Sequence, residues 1–153
     1  MIYSSACEYG IRAATYLACR YDEKLVKLRD ISEAEEIPAP FLASILQRLV
    51  TSGLVRSTRG PSGGYALARP PREIFLYGIK EAIDGVAELE ACAVGLEVCS
   101  DEMPCPLHDT WKPIRERIQA YLRETTLEQM AQALTLKRRT SGRSRKRPGQ
   151  AAG

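Results

Sequence analysis

The stretch Arg59-Gly60-Pro61-Ser62-Gly63-Gly64 stands between two short β-prone runs, Leu54 to Thr58 and Tyr65 to Ala68. Its glycines, proline and serine make it a turn by composition, so the two runs are expected to fold back on each other as a hairpin with Arg59 at the tip. What precedes the hairpin narrows the choice further. Leu28 to Glu36 reads as a short helix with Ile31 and Ala34 on its inner face. Pro38 and Pro40 suit the first turn of a second helix, where a missing N–H is harmless. Phe41, Leu42, Ile45, Leu46 and Leu49 carry that helix to Ser52, and Gly53 is placed just past its end, free to adopt positive φ. Helix, short turn, helix and hairpin is the order of a winged helix-turn-helix. In that arrangement the second helix enters the major groove of DNA, while a wing arginine reaches phosphate or a narrow minor groove.

Charge supports a polyanionic partner. From Ile37 to Arg72 the chain carries Arg48, Arg56, Arg59, Arg69 and Arg72 without one Asp or Glu, the pattern of a face that meets DNA. On the second helix Ser44, Gln47 and Arg48 are the polar candidates for base or phosphate contact, with Gln suited to adenine and Arg to guanine. On the wing the candidates are Arg59, Gly60, Ser62 and Gly63.

Flanking segments complete a mainly α fold. Ile2, Ala6, Tyr9, Ala13, Tyr16 and Leu17 recur at helical spacing, so residues 2–21 read as a helix, and Ile74 to Ile83 resumes the pattern as far as Asp84-Gly85. Trp111, Ile114, Ile118, Tyr121 and Leu122 form an apolar stripe on a predicted helix from Asp109 to Arg123, which has Pro113 in its first turns. Such a stripe suits a core or a dimer interface, and a dimer that reads two half-sites favours the interface. Thr125 and Glu128 are placed for a capping box ahead of Leu127, Met130, Ala131 and Leu134. The expected organisation is a winged helix-turn-helix domain over residues 1–85, a cysteine-rich loop over 86–108, and a long dimerisation helix with a C-terminal helix over 109–136. A disordered basic tail is expected over 137–153. That tail holds seven basic and no acidic residues, which leaves the rest of the chain at a net charge of −4. It suits sequence-blind phosphate contacts or simple solvation.

At 153 residues the chain has room for one domain of typical size. Its longest uncharged run, Ile37 to Gln47, is interrupted by two prolines and falls well short of the roughly 18 apolar residues of a membrane span. With no basic n-region at the N-terminus, a cytoplasmic protein without a membrane partner is expected. There is no Walker loop or C-x-x-C, so neither an enzyme nor a small-molecule substrate is expected.

Five cysteines in such a chain favour metal or redox chemistry over a disulfide framework. Cys7 and Cys19 lie twelve residues apart on one predicted helix, roughly 18 Å at 1.5 Å per residue, and cannot pair within the chain. The other three crowd into ACAVGLEVCSDEMPCPLHDTW. That segment reads C-x6-C-x5-C-x2-H, with Cys92, Cys99, Cys105 and His108, the one histidine of the chain. Three soft thiolates and an imidazole suit zinc or an iron–sulfur cluster. Structural zinc sites commonly use C-x2-C knuckles, and gaps of five and six favour the larger cluster. A thiol switch that uses Cys105 and His108 as nucleophile and base is the other chemistry open to this set.

The run LRDISEAEEIPAPFLASILQRLVTSGLVRSTRGPSGGYAL, the segment IKEAIDG and the three-cysteine loop together resemble the Rrf-type winged-helix regulators that include the IscR and NsrR groups. The resemblance covers about residues 1–135. It implies a homodimer joined through the long helix after the loop, a cluster bound by each protomer, and affinity for a double-stranded DNA operator switched by cluster state. By that similarity Cys92, Cys99 and Cys105 take the ligand positions. His108 matches the fourth ligand of the IscR group, which holds [2Fe-2S]. Glu8 stands where other branches place a carboxylate from the partner protomer, an option that implies [4Fe-4S]. The expected function is a transcription regulator, a repressor in kind, with a zinc-stabilised or cluster-free thiol-switch regulator as the alternative.

Overall fold

The computed structural model describes residues 2–22, 25–96 and 99–144, the last seven as backbone. Among these, six α-helices and one two-stranded hairpin share a single core.

Helix α1 (Ser5–Ala18) is the centre of that core, packed against α3 (Ala39–Thr51), α4 (Leu76–Ile83) and α6 (Leu127–Ser144). It is buried on most of its circumference, with Cys7, Gly10, Ile11 and every residue from Ala13 to Ala18 inside. The helix is shorter than residues 2–21. Ser4 sits outside it as the N-cap, its hydroxyl accepting the Cys7 N–H at 3.1 Å, and the chain turns after Ala18.

Helix α2 (Leu28–Glu35) faces the core through Ile31. Ala34, expected inside, is exposed; the buried position is Glu35, whose carboxylate lies 3.3 Å from Arg12 Nε. Glu36 then adopts left-handed φ 53 and turns the chain directly toward α3. Leu42, Ile45, Leu46 and Leu49 of α3 are fully or almost fully buried, each contributing about 1.5–3 kcal/mol by leaving water. Phe41 points outward and meets Tyr9 edge-on at 5.7 Å. Gly53 closes the helix at φ 75, as its position in the sequence predicts.

The hairpin pairs β1 (Val55–Thr58) with β2 (Gly64–Leu67) antiparallel, in a register that sets Val55 opposite Leu67 and Thr58 opposite Gly64. Val26 bridges Tyr65 through two backbone hydrogen bonds of 2.8 Å and ties the wing to the segment before α2. After the wing, Ile74 and Phe75 are extended. Ile74 and Leu76 exchange backbone hydrogen bonds with Leu127 and Thr125, so α4 begins two residues later than its apolar pattern suggests.

Helix α5 (His108–Glu124) and α6 follow the cysteine loop. The cap of α6 is Thr126 with Gln129, one residue beyond the expected Thr125–Glu128 pair: Gln129 Oε1 accepts the Thr126 N–H at 2.9 Å, and Thr126 Oγ1 accepts the Gln129 N–H at 3.2 Å. The Thr125 hydroxyl instead donates to the Tyr121 carbonyl. Helix α6 runs to Ser144, which corrects the expectation of a disordered tail over residues 137–144. Lys and Arg are good helix formers, no breaker precedes Gly142, and cations suit a helix C-terminus. The remainder of that tail, residues 145–153, lies outside the described residues.

Candidate functional site

Two regions carry candidate functional residues. The first is the face made by α3 and the wing. Ser44 and Gln47 are exposed on α3, and Arg59, Gly60 and Ser62 are exposed at the hairpin tip. Gly63 is required there by close approach: a Cβ would fall 2.1 Å from the Thr58 carbonyl oxygen and 2.8 Å from the Arg59 carbonyl carbon. Arg56 is also exposed on β1. Arg48 differs from the others. Its Nη1 donates to the Ile83 carbonyl at 3.0 Å, at the C-terminus of α4, so this guanidinium has a structural partner within the chain.

The second region is the loop between α4 and α5. Its four candidate ligands form two pairs: Cys92 Sγ lies 3.9 Å from Cys105 Sγ, and Cys99 Sγ lies 3.4 Å from His108 Nδ1. Cys92 and His108 are buried, Cys99 and Cys105 half-buried. Backbone N–H groups of Val94, Leu96 and Gly95 are directed at Cys92 and, with help from Cys105, hold its thiol below the ordinary range. The other imidazole nitrogen, His108 Nε2, is 2.7 Å from Asp101 Oδ1. Both Asp101 oxygens accept from Lys112 Nζ, at 2.8 and 2.7 Å. The bond from Lys112, then that from His108, keeps the Asp101 carboxyl below its usual value, and Asp101 raises Lys112 in return.

Asp101 and Lys112 were not legible as site residues by spacing to the cysteines alone. The usable signal was on the helix: Lys112 lies four residues after His108, hence on the same face of α5. Glu8 stands half-buried in the first turn of α1, and its carboxylate makes no hydrogen bond or ion pair to another described residue. Cys7 is fully buried, and burial first, then the Asp84 charge, pushes its thiol up to about 12. Among the described residues no three of Cys, His, Asp and Glu are disposed to hold one single metal ion.

The loop is joined to the rest of the chain at its upstream end. Trp111 Nε1, Arg115 Nη1 and Gln119 Nε2 donate to the carbonyls of Ala91, Glu90 and Leu89 at 3.2, 3.1 and 2.7 Å. One face of α5, repeating every four residues, therefore grips three successive carbonyls just before Cys92. On the other side Glu88 pairs with Lys80 of α4. Of the stripe expected to mediate dimerisation, Ile114 and Tyr121 are exposed, and Trp111 and Ile118 are half-buried beside an apolar groove that includes Ile2 and Leu89. Leu122 is fully buried in the chain's own core, which removes it from the face open to a partner.

Comparison with known proteins agrees with this architecture. Residues 3–133 match the Rrf2 family, described as iron-dependent transcriptional regulators. The HTH-type transcriptional regulator IscR of Xenorhabdus nematophila is 35% identical over 127 residues, 83% of this chain and 77% of that protein. Among solved structures, CymR, the global cysteine regulator of B. subtilis, superposes with a TM-score of 0.72 at 29% identity, covering 86% of this chain and 96% of its own. IscR of T. potens does so with a TM-score of 0.67 at 28% identity, covering 99% and 93%. With the winged-helix fold, the sequence match and the structural likeness in agreement, the chain belongs to the Rrf2 family of transcriptional regulators, which are not enzymes.

Proposed function

We propose that the protein is a dimeric DNA-binding repressor whose operator affinity follows the state of an iron–sulfur cluster held by Cys92, Cys99, Cys105 and His108. The preferred form is [2Fe-2S]; [4Fe-4S], with Glu8 supplied by the second protomer as fourth ligand, is the other form. The observation that carries this reading is the sorting of the donors into two pairs. Two thiolates about 2.3 Å from one tetrahedral metal stand about 3.8 Å apart, and a thiolate and an imidazole nitrogen about 3.5 Å apart. The separations of 3.9 and 3.4 Å suit one pair on each of two irons. A single zinc needs all four around one point, which the arrangement does not favour.

When bound, such a cluster supplies a centre that reacts with oxidants and nitric oxide, and its loss frees the four ligands. The chain's own residues connect that event to DNA. A change in the loop pulls on the carbonyls of residues 89–91 held by α5, and on the Glu88–Lys80 pair that reaches α4. Helix α5 carries the exposed Ile114 and Tyr121 available to a second protomer, and α4 packs against α3, the helix offered to the major groove. Cluster state shifts operator affinity to the extent that these contacts differ between the two arrangements.

Anaerobic purification with a visible spectrum and iron, sulfide and zinc assays tests the reading. About two irons and two sulfides per chain are expected, with operator affinity altered on cluster loss; one zinc in a colourless protein would overturn it. Cys99→Ala is expected to lose both the cluster and the switch.

A second reading has its own observation, the 3.9 Å approach of the Cys92 and Cys105 sulfurs with Cys92 held toward its thiolate. Here hydrogen peroxide takes two electrons and two protons from the metal-free thiol pair and is reduced to two waters while the disulfide forms. Mass mapping of disulfides after mild peroxide treatment of the apoprotein separates it from the first. A Cys92–Cys105 bond that alters operator affinity without any iron supports it.

A further inference from the structure

We propose that Asp101 is the positioning residue that makes His108 a ligand through Nδ1, and that Lys112 holds Asp101 in place. The inference rests on the cluster reading above and adds the ligating atom and the outer contacts that select it.

The argument starts from hydrogen-bond capacity. An ionised carboxylate only accepts, so the imidazole nitrogen beside Asp101 must carry the proton. That nitrogen is Nε2, 2.7 Å from Asp101 Oδ1. In the neutral ring the lone pair is then on Nδ1, the atom that faces Cys99 Sγ at 3.4 Å. The ring is buried and oriented by its place at the start of α5, so it cannot exchange its two nitrogens without a large rotation in a packed site. Asp101 itself is well exposed and would swing freely but for Lys112, whose ammonium meets both of its oxygens. His108 and Lys112, one turn apart on α5, thus grip one carboxylate between them. Metal-binding histidines characteristically donate their second N–H to a carboxylate in this way, which fixes the tautomer and raises the basicity of the ligating nitrogen.

The chain has one histidine, which makes the test unambiguous. Protein carrying histidine labelled with nitrogen-15 at Nδ1 alone is reconstituted anaerobically, reduced, and measured by pulsed electron–nuclear double resonance. A strong nitrogen-15 coupling to the cluster is expected. A coupling typical of the remote ring nitrogen would mean ligation through Nε2 and would overturn the proposal. Asp101→Ala, at an exposed site that leaves the core untouched, should lose its cluster to a chelator about ten-fold faster than wild type. Its cluster should also show a raised reduction potential, because a negative charge near the oxidised cluster has gone. Asp101→Glu should recover most of the retention. Unchanged retention and potential in Asp101→Ala overturn the positioning role even if Nδ1 is the ligand. A wild-type protein that takes up no iron and sulfide overturns the cluster reading and this inference together, whereas a loaded protein lacking the Nδ1 coupling overturns this inference alone.

Discussion

The Lys80 ammonium, fully buried, lies 3.5 Å from the carboxylate of Asp84, the residue that caps the C-terminus of α4. Asp84 in turn accepts both the N–H and the hydroxyl of Ser4, the residue that caps α1, and Lys80 also meets Glu88 at the root of the cysteine loop. Burial opposes the charge on Lys80, but the two carboxylates outweigh it and keep the amine above its ordinary value. The start of α1 and the segment from Lys80 to Glu88 therefore meet in one charge network. Lys80→Met keeps the volume and removes the charge, leaving Asp84 without its cation. We expect a loss of about 2 kcal/mol in denaturant unfolding and, in loaded protein, a weaker effect of cluster removal on operator affinity. Unaltered coupling would show that signal transfer runs through the α5 contacts alone.

The same network predicts a pH dependence. Burial raises the Asp84 pKa, but the hydrogen bonds from Ser4, with Lys80, more than reverse this and leave it lowered. A carboxylate lowered on folding contributes stability that is fully present above the unfolded value of about 3.9 and is lost as pH falls through the folded value. Unfolding titrations from pH 6 to pH 3 should therefore show stability falling away below about pH 4. Asp84→Asn should start lower and fall less steeply.

Along α3 and the wing the structure separates arginines that look alike in sequence. Arg59→Ala should reduce the salt dependence of operator binding by about one phosphate contact, equally on specific and random DNA. Gln47→Ala should relax preference at one base pair, at a cost of about 1–3 kcal/mol in discrimination. Arg48→Ala should act differently, lowering stability by about 1 kcal/mol through the lost bond to the Ile83 carbonyl. Binding isotherms at several salt concentrations, read beside melting curves, distinguish the three.

Gly63→Ala isolates the wing. The added methyl would overlap backbone of Thr58 and Arg59, which cannot yield without reshaping the turn. The wing lies at the edge of the core, so helicity and melting temperature should hold nearly constant while operator affinity drops about ten-fold, the effect of about 1.4 kcal/mol of lost contact. Retained affinity would mean that the hairpin tip does not touch DNA.

How much of this was legible in the sequence depended on what marked each feature. The wing and the helix pair were marked by glycine and proline, whose backbone requirements are local, and their limits fell within one or two residues. The start of α4 was not, because Ile74 has its side chain buried in the core while its backbone is extended and paired with Leu127, a partner distant in the chain. Arg48 and Arg59 carry the same charge, and only the position of the α4 C-terminus assigns the first a partner inside the protein. Ile114 and Leu122 are likewise both apolar on one helix, although the first faces out and the second fills the core. In the loop the candidate ligand types were explicit, whereas the sorting into Cys92 with Cys105 and Cys99 with His108 belongs to tertiary structure.

That division within α5 provides the test of assembly. Ile114 and Tyr121 are roughly half exposed, at 49% and 44%, and Trp111 and Ile118 border the groove beside them. Ile114→Glu places a charge on this face without entering the core, so the folded chain should survive and the dimer should not. Leu122→Ala, at 0% exposure, should instead cost about 2–5 kcal/mol of stability with no selective effect on assembly. Sedimentation of the two variants at a concentration where wild type is dimeric checks both expectations. A chain that reads paired half-sites as a dimer should also lose most of its operator affinity in the Ile114→Glu protein while each winged domain keeps its non-specific, salt-sensitive binding. A dimer that persists in Ile114→Glu would move the interface off this face of α5, and the carbonyl grip on residues 89–91 would then serve to brace the loop instead of transmitting its state to a partner.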